Sequence, residues 1–299
     1  MNAPCNPHRH SYYEAGARER LASLLDAGSF RELLGPAERV TSPHLPPLDA
    51  PVAFDDGVVV GRGQLDGRSV LVGAQEGGFN GGAVGEVHGA KLTGLLERAL
   101  DERPAAVLLL VESGGVRLHE ANAGLIAVSE VMRAVLAVRS AGIPVLVLDG
   151  GQFGCFGGMG IVARCCDAIV ISEEGRLGLS GPEVIETTCG VEEFDSRDRA
   201  LVWRTVGGKH RYLLGEADVL VADELAAFRE AAIRLLDTVP DLSLDALDAE
   251  HGRLAARLER FGTCRDALDI WSALGIGQPA RLPLLDTDEF LTATADRRA

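Results

Sequence analysis

The segment Ser113-Gly114-Gly115-Val116-Arg117-Leu118-His119-Glu120 sets paired glycines beside ionisable side chains. It follows Ala105–Val111, an apolar run too short for a helix and of the right length for a buried parallel strand. A strand that ends in paired glycines and opens into a helix presents bare backbone N–H groups at the helix's positive end. Such a turn suits an oxygen that is gaining negative charge. The arrangement recurs about forty residues on. There, strand Pro144–Leu148 leads through Gly150-Gly151-Gln152-Phe153-Gly154-Cys155-Phe156-Gly157-Gly158 into an apolar helical run. Two such turns predict one site built from main-chain donors, at Gly114, Gly115, Gly157 and Gly158.

Side chains near these turns are the next candidates. Arg117, His119 and Glu120 crowd the first helix start, where Arg117 suits a substrate carboxylate or an ion pair that secures the helix. The loop Phe79–Gly85, with Gly81, Gly82 and Ala83 at its centre, lacks the Lys-Ser/Thr of a nucleotide-binding P-loop. Pantetheine or an acyl thioester lying along bare backbone suits it as well. Gly158-Met159-Gly160-Ile161-Val162-Ala163 matches G-x-G-x-x-A, but its glycines lie inside the helix pattern and the loop before it is too long for a pyrophosphate turn. Lys209, His210 and Arg211 are the one dense basic cluster, a candidate contact for a partner or phosphate. Gly181-Pro182-Glu183-Val184-Ile185-Glu186 starts a helix, without showing which way Glu183 and Glu186 point. His88 and His119 lack metal-ligand spacing, so no metal site is expected, and Ser180 lacks the G-x-S-x-G elbow.

These turns need a scaffold of alternating strands and helices. The pattern predicts an amphipathic helix from residue 11, a turn at Asp26–Ser29 and a short second helix around Phe30 and Leu33-Leu34. A proline-rich connector follows over 36–50. Strands near 58–61 and 69–74 join through Asp66-Gly67, a hairpin signal. Helices are expected over 86–100, 119–141 and 157–165, with strands between them and one at 167–172. Helical runs at 244–261 and 264–274 lead to a frayed tail, 292–299. Such βαβ alternation gives an α/β fold with a mostly parallel sheet. The expected division is an N-terminal tail, helical segment and connector over 1–50, a core over 51–240 and a C-terminal appendage over 241–299.

The 299 residues carry 44 acidic and 29 basic side chains, a net charge of −15, which argues against non-specific nucleic-acid binding. No apolar stretch approaches the ~18 residues of a membrane span, and the first ten residues read as a loose tail without a signal core. The cytoplasm is the expected location. Six cysteines show no C-x-x-C spacing. Adjacent Cys165-Cys166 read as buried small apolar residues.

Taken together, Ala17-Arg18-Glu19-Arg20-Leu21, Leu24–Phe30, Phe79–Gly85, Ser113–Glu120 and Gly181–Glu186 resemble, in order and spacing, the carboxyltransferase beta subunits of the crotonase-like superfamily. The resemblance covers about residues 15–237. Glu112 to Gly124 and Gly207-Gly208-Lys209-His210-Arg211-Tyr212 are similar to the beta subunit of biotin-independent malonate decarboxylases. The four-cysteine zinc ribbon of bacterial carboxylases is lacking, as is a Met-Lys-Met biotinylation site. The resemblance implies a crotonase-like ββα superhelix, a spiral of small parallel sheets, with extra N- and C-terminal helices. It implies decarboxylation of malonyl carried on the phosphopantetheine-type arm of a carrier, without biotin or metal. Implied partners are a related gamma-type carboxyltransferase subunit, an acyl carrier subunit and an acyl-carrier transferase subunit. Alternatives are a biotin-dependent carboxyltransferase beta subunit and a non-catalytic scaffold subunit.

Overall fold

The computed structural model describes residues 10–299; the expected loose tail at 1–9 lies outside them. Its spine is one seven-stranded sheet in chain order: β1 (Arg31–Glu32), β2 (Val58–Leu65), β3 (Arg68–Gln75), β4 (Ala106–Val111), β5 (Val145–Asp149), β6 (Ala168–Ser172) and β7 (Val219–Val221). β1, β2 and β3 run antiparallel, and from β3 onward every pair is parallel. The β2–β3 turn is Asp66-Gly67 with φ of 53° and 71°. Positive φ at both positions is what a two-residue hairpin following the strand twist requires.

The helices are α1 (Ala17–Leu24), α2 (Glu86–Glu102), α3 (Asn122–Ser140), α4 (Gly158–Arg164), α5 (Pro182–Cys189), α6 (Arg199–Val206), α7 (Gly208–Leu213), α8 (Leu225–Leu235), α9 (Leu244–Phe261), α10 (Ala267–Ala273) and α11 (Thr287–Ala293). Parallel neighbours need crossovers, and α2, α3 and α4 supply those from β3 to β6. Strand alternation divides the core. Val107, Leu109, Val145, Val147, Ile169 and Ile171 face α2, α3 and α4. Leu108, Leu110, Leu146, Leu148 and Val170 face α1 and α8. Because both faces are covered, β4, β5 and β6 are buried along their whole length, which accounts for their unbroken apolar runs.

A second, thinner ladder runs beside the main sheet. Single bridges join Val84 to Val116, Ser113 to Cys155, Cys155 to Leu177 and Arg176 to Gly207. The superhelix is therefore one large sheet with a row of single bridges, where a spiral of small sheets was expected. Two local expectations also change. Arg31 and Glu32 are an edge strand paired with Arg62 and Gly61, because so short a segment gains more from existing sheet donors than from nucleating a helix. The tail is held: Asp286 and Glu289 form a capping box on α11, and the Ala299 amide donates to Leu213 O at 2.8 Å. No helix among the described residues is long and apolar enough to cross a membrane.

Candidate functional site

The two glycine turns leave the same edge of the sheet, after β4 and β5, and meet. The Ser113 amide donates to Gly154 O (2.7 Å) and the Phe156 amide to Ser113 O (2.8 Å). Gly157 has φ +60°, and a Cβ there would lie 3.0 Å from Gly115 Cα. Gly115 has φ +140°, and its missing Cβ would point into open space. The 79–85 loop borders the first turn, since the Gly114 amide donates to Gly81 O (2.8 Å) and the Val84 amide to Gly115 O (2.9 Å). Gly81, Gly82, Ala83, Gly114, Gly115, Gly157 and Gly158 thus come together as a bare-backbone floor.

Its amides are not equivalent. Those of Gly114 and Gly157 are already bonded, the latter to Leu179 O at 2.9 Å. The Gly115 amide makes only a 3.3 Å contact with Ser113 Oγ, at the outer edge of hydrogen-bond length. The Gly158 amide opens α4 with no acceptor among the described residues. Within the two paired-glycine turns, Gly115 and Gly158 are the amides without a strong acceptor among the described residues.

Beneath the floor sits Glu112. It is 3% exposed, its Oε2 lies 2.5 Å from buried Arg20, and its Oε1 accepts from the Phe153 amide (3.2 Å). A Cβ on Gly82 would be 1.8 Å from Glu112 O, and one on Gly77 or Gly151 would be 2.6 or 2.5 Å from its carboxyl carbon. Two loops, after β3 and after β5, close on this residue at these glycines, and glycine is what fits. Sequence reasoning quoted Glu112 without giving it a role; the glycines at 77, 82 and 151 were the available signal.

Arg117 and Glu120, expected at the substrate, belong to the scaffold. Arg117 is 2% exposed and donates to Asp56 Oδ2 (2.7 Å), Asp56 O (2.7 Å), Glu120 Oε1 (3.1 Å) and Ala83 O (2.9 Å). Four of its five N–H donors are thus held by acceptors of the same chain. Glu120 accepts from the Glu86 amide at 2.6 Å. Burial pushes its carboxyl up, but that amide and Arg117 hold it below its ordinary value. Burial raises Asp56 despite Arg117. A relay completes the network. The Glu112 amide donates to Gln75 Oε1 (3.1 Å), Gln75 Nε2 to His88 Nε2 (3.0 Å) and His88 Nδ1 to Asp56 O (3.2 Å). Burial and the charge of Arg117 lower His88 to about 3, so it is a neutral structural residue. Of the three side chains expected at the turn, only His119 is exposed there.

The basic cluster at 209–211 is no docking patch. Lys209 bonds Glu173 (2.9 Å) and Leu285 O (2.6 Å), and Arg211 bonds Glu216 (2.7 Å) and Thr205 O (2.9 Å). Buried His210 packs edge-on to Trp271, and desolvation lowers it to about 3. The C-terminal segment covers this face, and the cluster serves to hold it. Glu183 is exposed, while Glu186 accepts from the Ser196 amide (2.8 Å). Around the floor stand exposed apolar side chains: Leu118 (89%), Leu125, Ile126 and Leu179 (68%).

A ββα succession whose two glycine turns meet at one edge of the sheet defines a crotonase-like α/β protein of the carboxyltransferase type. The chain belongs to the carboxyl transferase domain family, whose model matches residues 10–249. It is 41% identical over 301 aligned positions, 94% of each chain, to the malonyl-S-ACP:biotin-protein carboxyltransferase MADC of Malonomonas rubra. It resembles a chain of a Pseudomonas malonate decarboxylase hetero-tetramer in complex with malonate at 43% identity and TM-score 0.79, covering 86% of this chain and 94% of that one. A chain of the Pseudomonas MdcD-MdcE hetero-dimer gives 38% and 0.68, with 86% and 100% covered.

Proposed function

We propose that this chain is the beta-type subunit of a malonate decarboxylase, releasing CO₂ from malonyl carried on the phosphopantetheine-type arm of an acyl carrier. The observation that carries the reading is the meeting of the Gly115 and Gly157-Gly158 turns, with open space in front of Gly115 and no strong acceptor on the Gly115 and Gly158 amides. When the bond from the α-carbon to the carboxylate breaks, CO₂ leaves and its bonding pair passes into the thioester as an enolate. That step needs an electron sink rather than a base. Amides of Gly115 and Gly158, aimed at the thioester oxygen, favour the enolate over the ground state; each such donor is commonly worth about 3 kcal/mol. A proton then adds to the α-carbon and gives acetyl-carrier. Exposed His119, at the first turn, is this chain's candidate to deliver it, with the partner subunit as the alternative source. The apolar rim of Leu118, Leu125 and Leu179 suits a gamma-type subunit that completes the cavity, with carrier and acyl-carrier transferase subunits in the same assembly.

The Malonomonas rubra relative supports a second reading, in which a biotin protein takes the carboxyl group. One assay separates them: malonyl-carrier, the reconstituted subunits and avidin. CO₂ release that avidin leaves untouched supports the decarboxylase. Release that avidin abolishes supports transfer to biotin, and release that survives Gly115→Val sinks the backbone site.

A further inference from the structure

The chain has two tryptophans, Trp203 on α6 and Trp271 on α10, and both line one cavity of about 380 Å³. Ala200 of α6 and Pro283 add to the apolar part of its wall. Trp271 and Pro283 lie beyond the 10–249 reach of the family domain, so the cavity is a seam between that domain and the C-terminal segment. Its volume falls at the low end of the ~300–1,000 Å³ common for small-molecule sites. Neither indole is satisfied. Both Nε1 atoms are buried without an acceptor among the described residues, and Trp271 is 2% exposed. An indole N–H only donates, and a buried one is expected to have a partner. The guanidiniums of Arg199 and Arg176 sit 4.0 and 4.9 Å from the Trp203 ring centre, so cations cover the ring and its N–H edge is left. Charge points the same way. Arg199, Arg204 and Lys209 line the cavity against Glu173 and Glu174. Glu174 pairs with Arg199 and Glu173 with Lys209 (2.9 Å), whereas Asp266, the partner of Arg204 (3.3 Å), stands outside the wall.

We infer that this cavity binds a flat aromatic monocarboxylate of one or two rings, whose acceptor oxygens meet the two indole N–H groups. The volume sets the size, the buried donors call for an acceptor, and the charge of the wall favours an anion. The site uses no residue of the glycine floor and does not depend on the proposed reaction. Its occupant touches α6 and α10 together and so clamps the C-terminal segment onto the carboxyltransferase domain.

The two tryptophans are also the reporters. Indole N–H spectra of the ¹⁵N-labelled full chain contain two resonances, which Trp203→Phe and Trp271→Phe assign. Titration with benzoate or 2-naphthoate should move both resonances along one saturation curve. Benzyl alcohol and cyclohexanecarboxylate, which lack the charge and the flat ring respectively, should bind at least about tenfold more weakly than benzoate. Trp203→Phe keeps an aromatic ring but removes its N–H, and should weaken carboxylate binding by about tenfold, read at the Trp271 resonance. This variant decides the matter if Trp271→Phe, whose ring packs on buried His210, unfolds. Indole resonances that stay in place with both aromatic carboxylates, or that follow different curves, overturn the inference. So does an affinity that is unchanged in folded Trp203→Phe, or that either control matches.

Discussion

A Cβ placed on Gly157 would lie 3.0 Å from the Cα of Gly115, although 42 positions separate them in sequence. Two turns from successive βα units are therefore one surface, and each glycine keeps the other's place. The substitutions differ in kind. An added methyl at Gly157 presses on backbone, whereas one at Gly115 enters open space but strains φ at +140°. Gly115→Val keeps the amide but fills the space in front of it and shifts its φ. It should therefore keep a folded protein and lower CO₂ release from the reconstituted complex by about 10²–10³-fold, the same size of effect as losing one oxyanion donor. Thermal unfolding alongside a CO₂ assay checks it; full activity would remove the turn from the mechanism.

Much of this arrangement is legible in the chain itself. The strand–glycine–helix pattern located both turns, and unbroken apolar runs gave β4, β5 and β6, because strands buried on both faces leave no alternation to misread. What stayed hidden was pairing. Arg117, Glu120, Lys209 and Arg211 look alike in sequence whether they meet a ligand or a carboxylate of the same chain. Their partners Asp56, Glu173 and Glu216 are fixed only by the fold. The two-residue strand β1 had no period long enough to register.

Arg20 and Glu112 form an ion pair with side chains 1% and 4% exposed. Removing one partner strands a buried charge, so Arg20→Leu should cost about 3–5 kcal/mol. Combining it with Glu112→Gln should recover part of that loss, leaving the Phe153 amide still bonded to Oε1. Urea unfolding of the two single variants and the double variant measures the coupling, and strict additivity would deny the pair.

Lys209 reaches Leu285 O and Glu173 from α7 and thereby pins the segment after α10. Lys209→Gln should raise amide hydrogen exchange over 279–293 and leave the salt dependence of carrier binding unchanged. A change in that salt dependence would return the basic cluster to a docking role.

His88 and His210 are buried and neutral, each lowered to about 3 from 6.5. Below pH 6.5 the unfolded chain takes up protons that the folded chain refuses, so each imidazole withdraws stability as pH falls from 6.5 towards 3. The slope is about 1.4 kcal/mol per pH unit for each. Asp149 acts in the opposite sense. Both its oxygens are buried without a partner, and desolvation, aided by Glu112 and opposed by Arg176 and Arg20, raises its pKa well above the ordinary value. It therefore withdraws stability as pH rises above about 4. A difference measurement isolates one imidazole. Between pH 4 and 6, His210→Asn should unfold with a slope about 1.4 kcal/mol per pH unit shallower than wild type, and at pH 8 the offset between the two should be constant. Parallel curves through the acid range would mean that His210 takes up its proton in the folded protein.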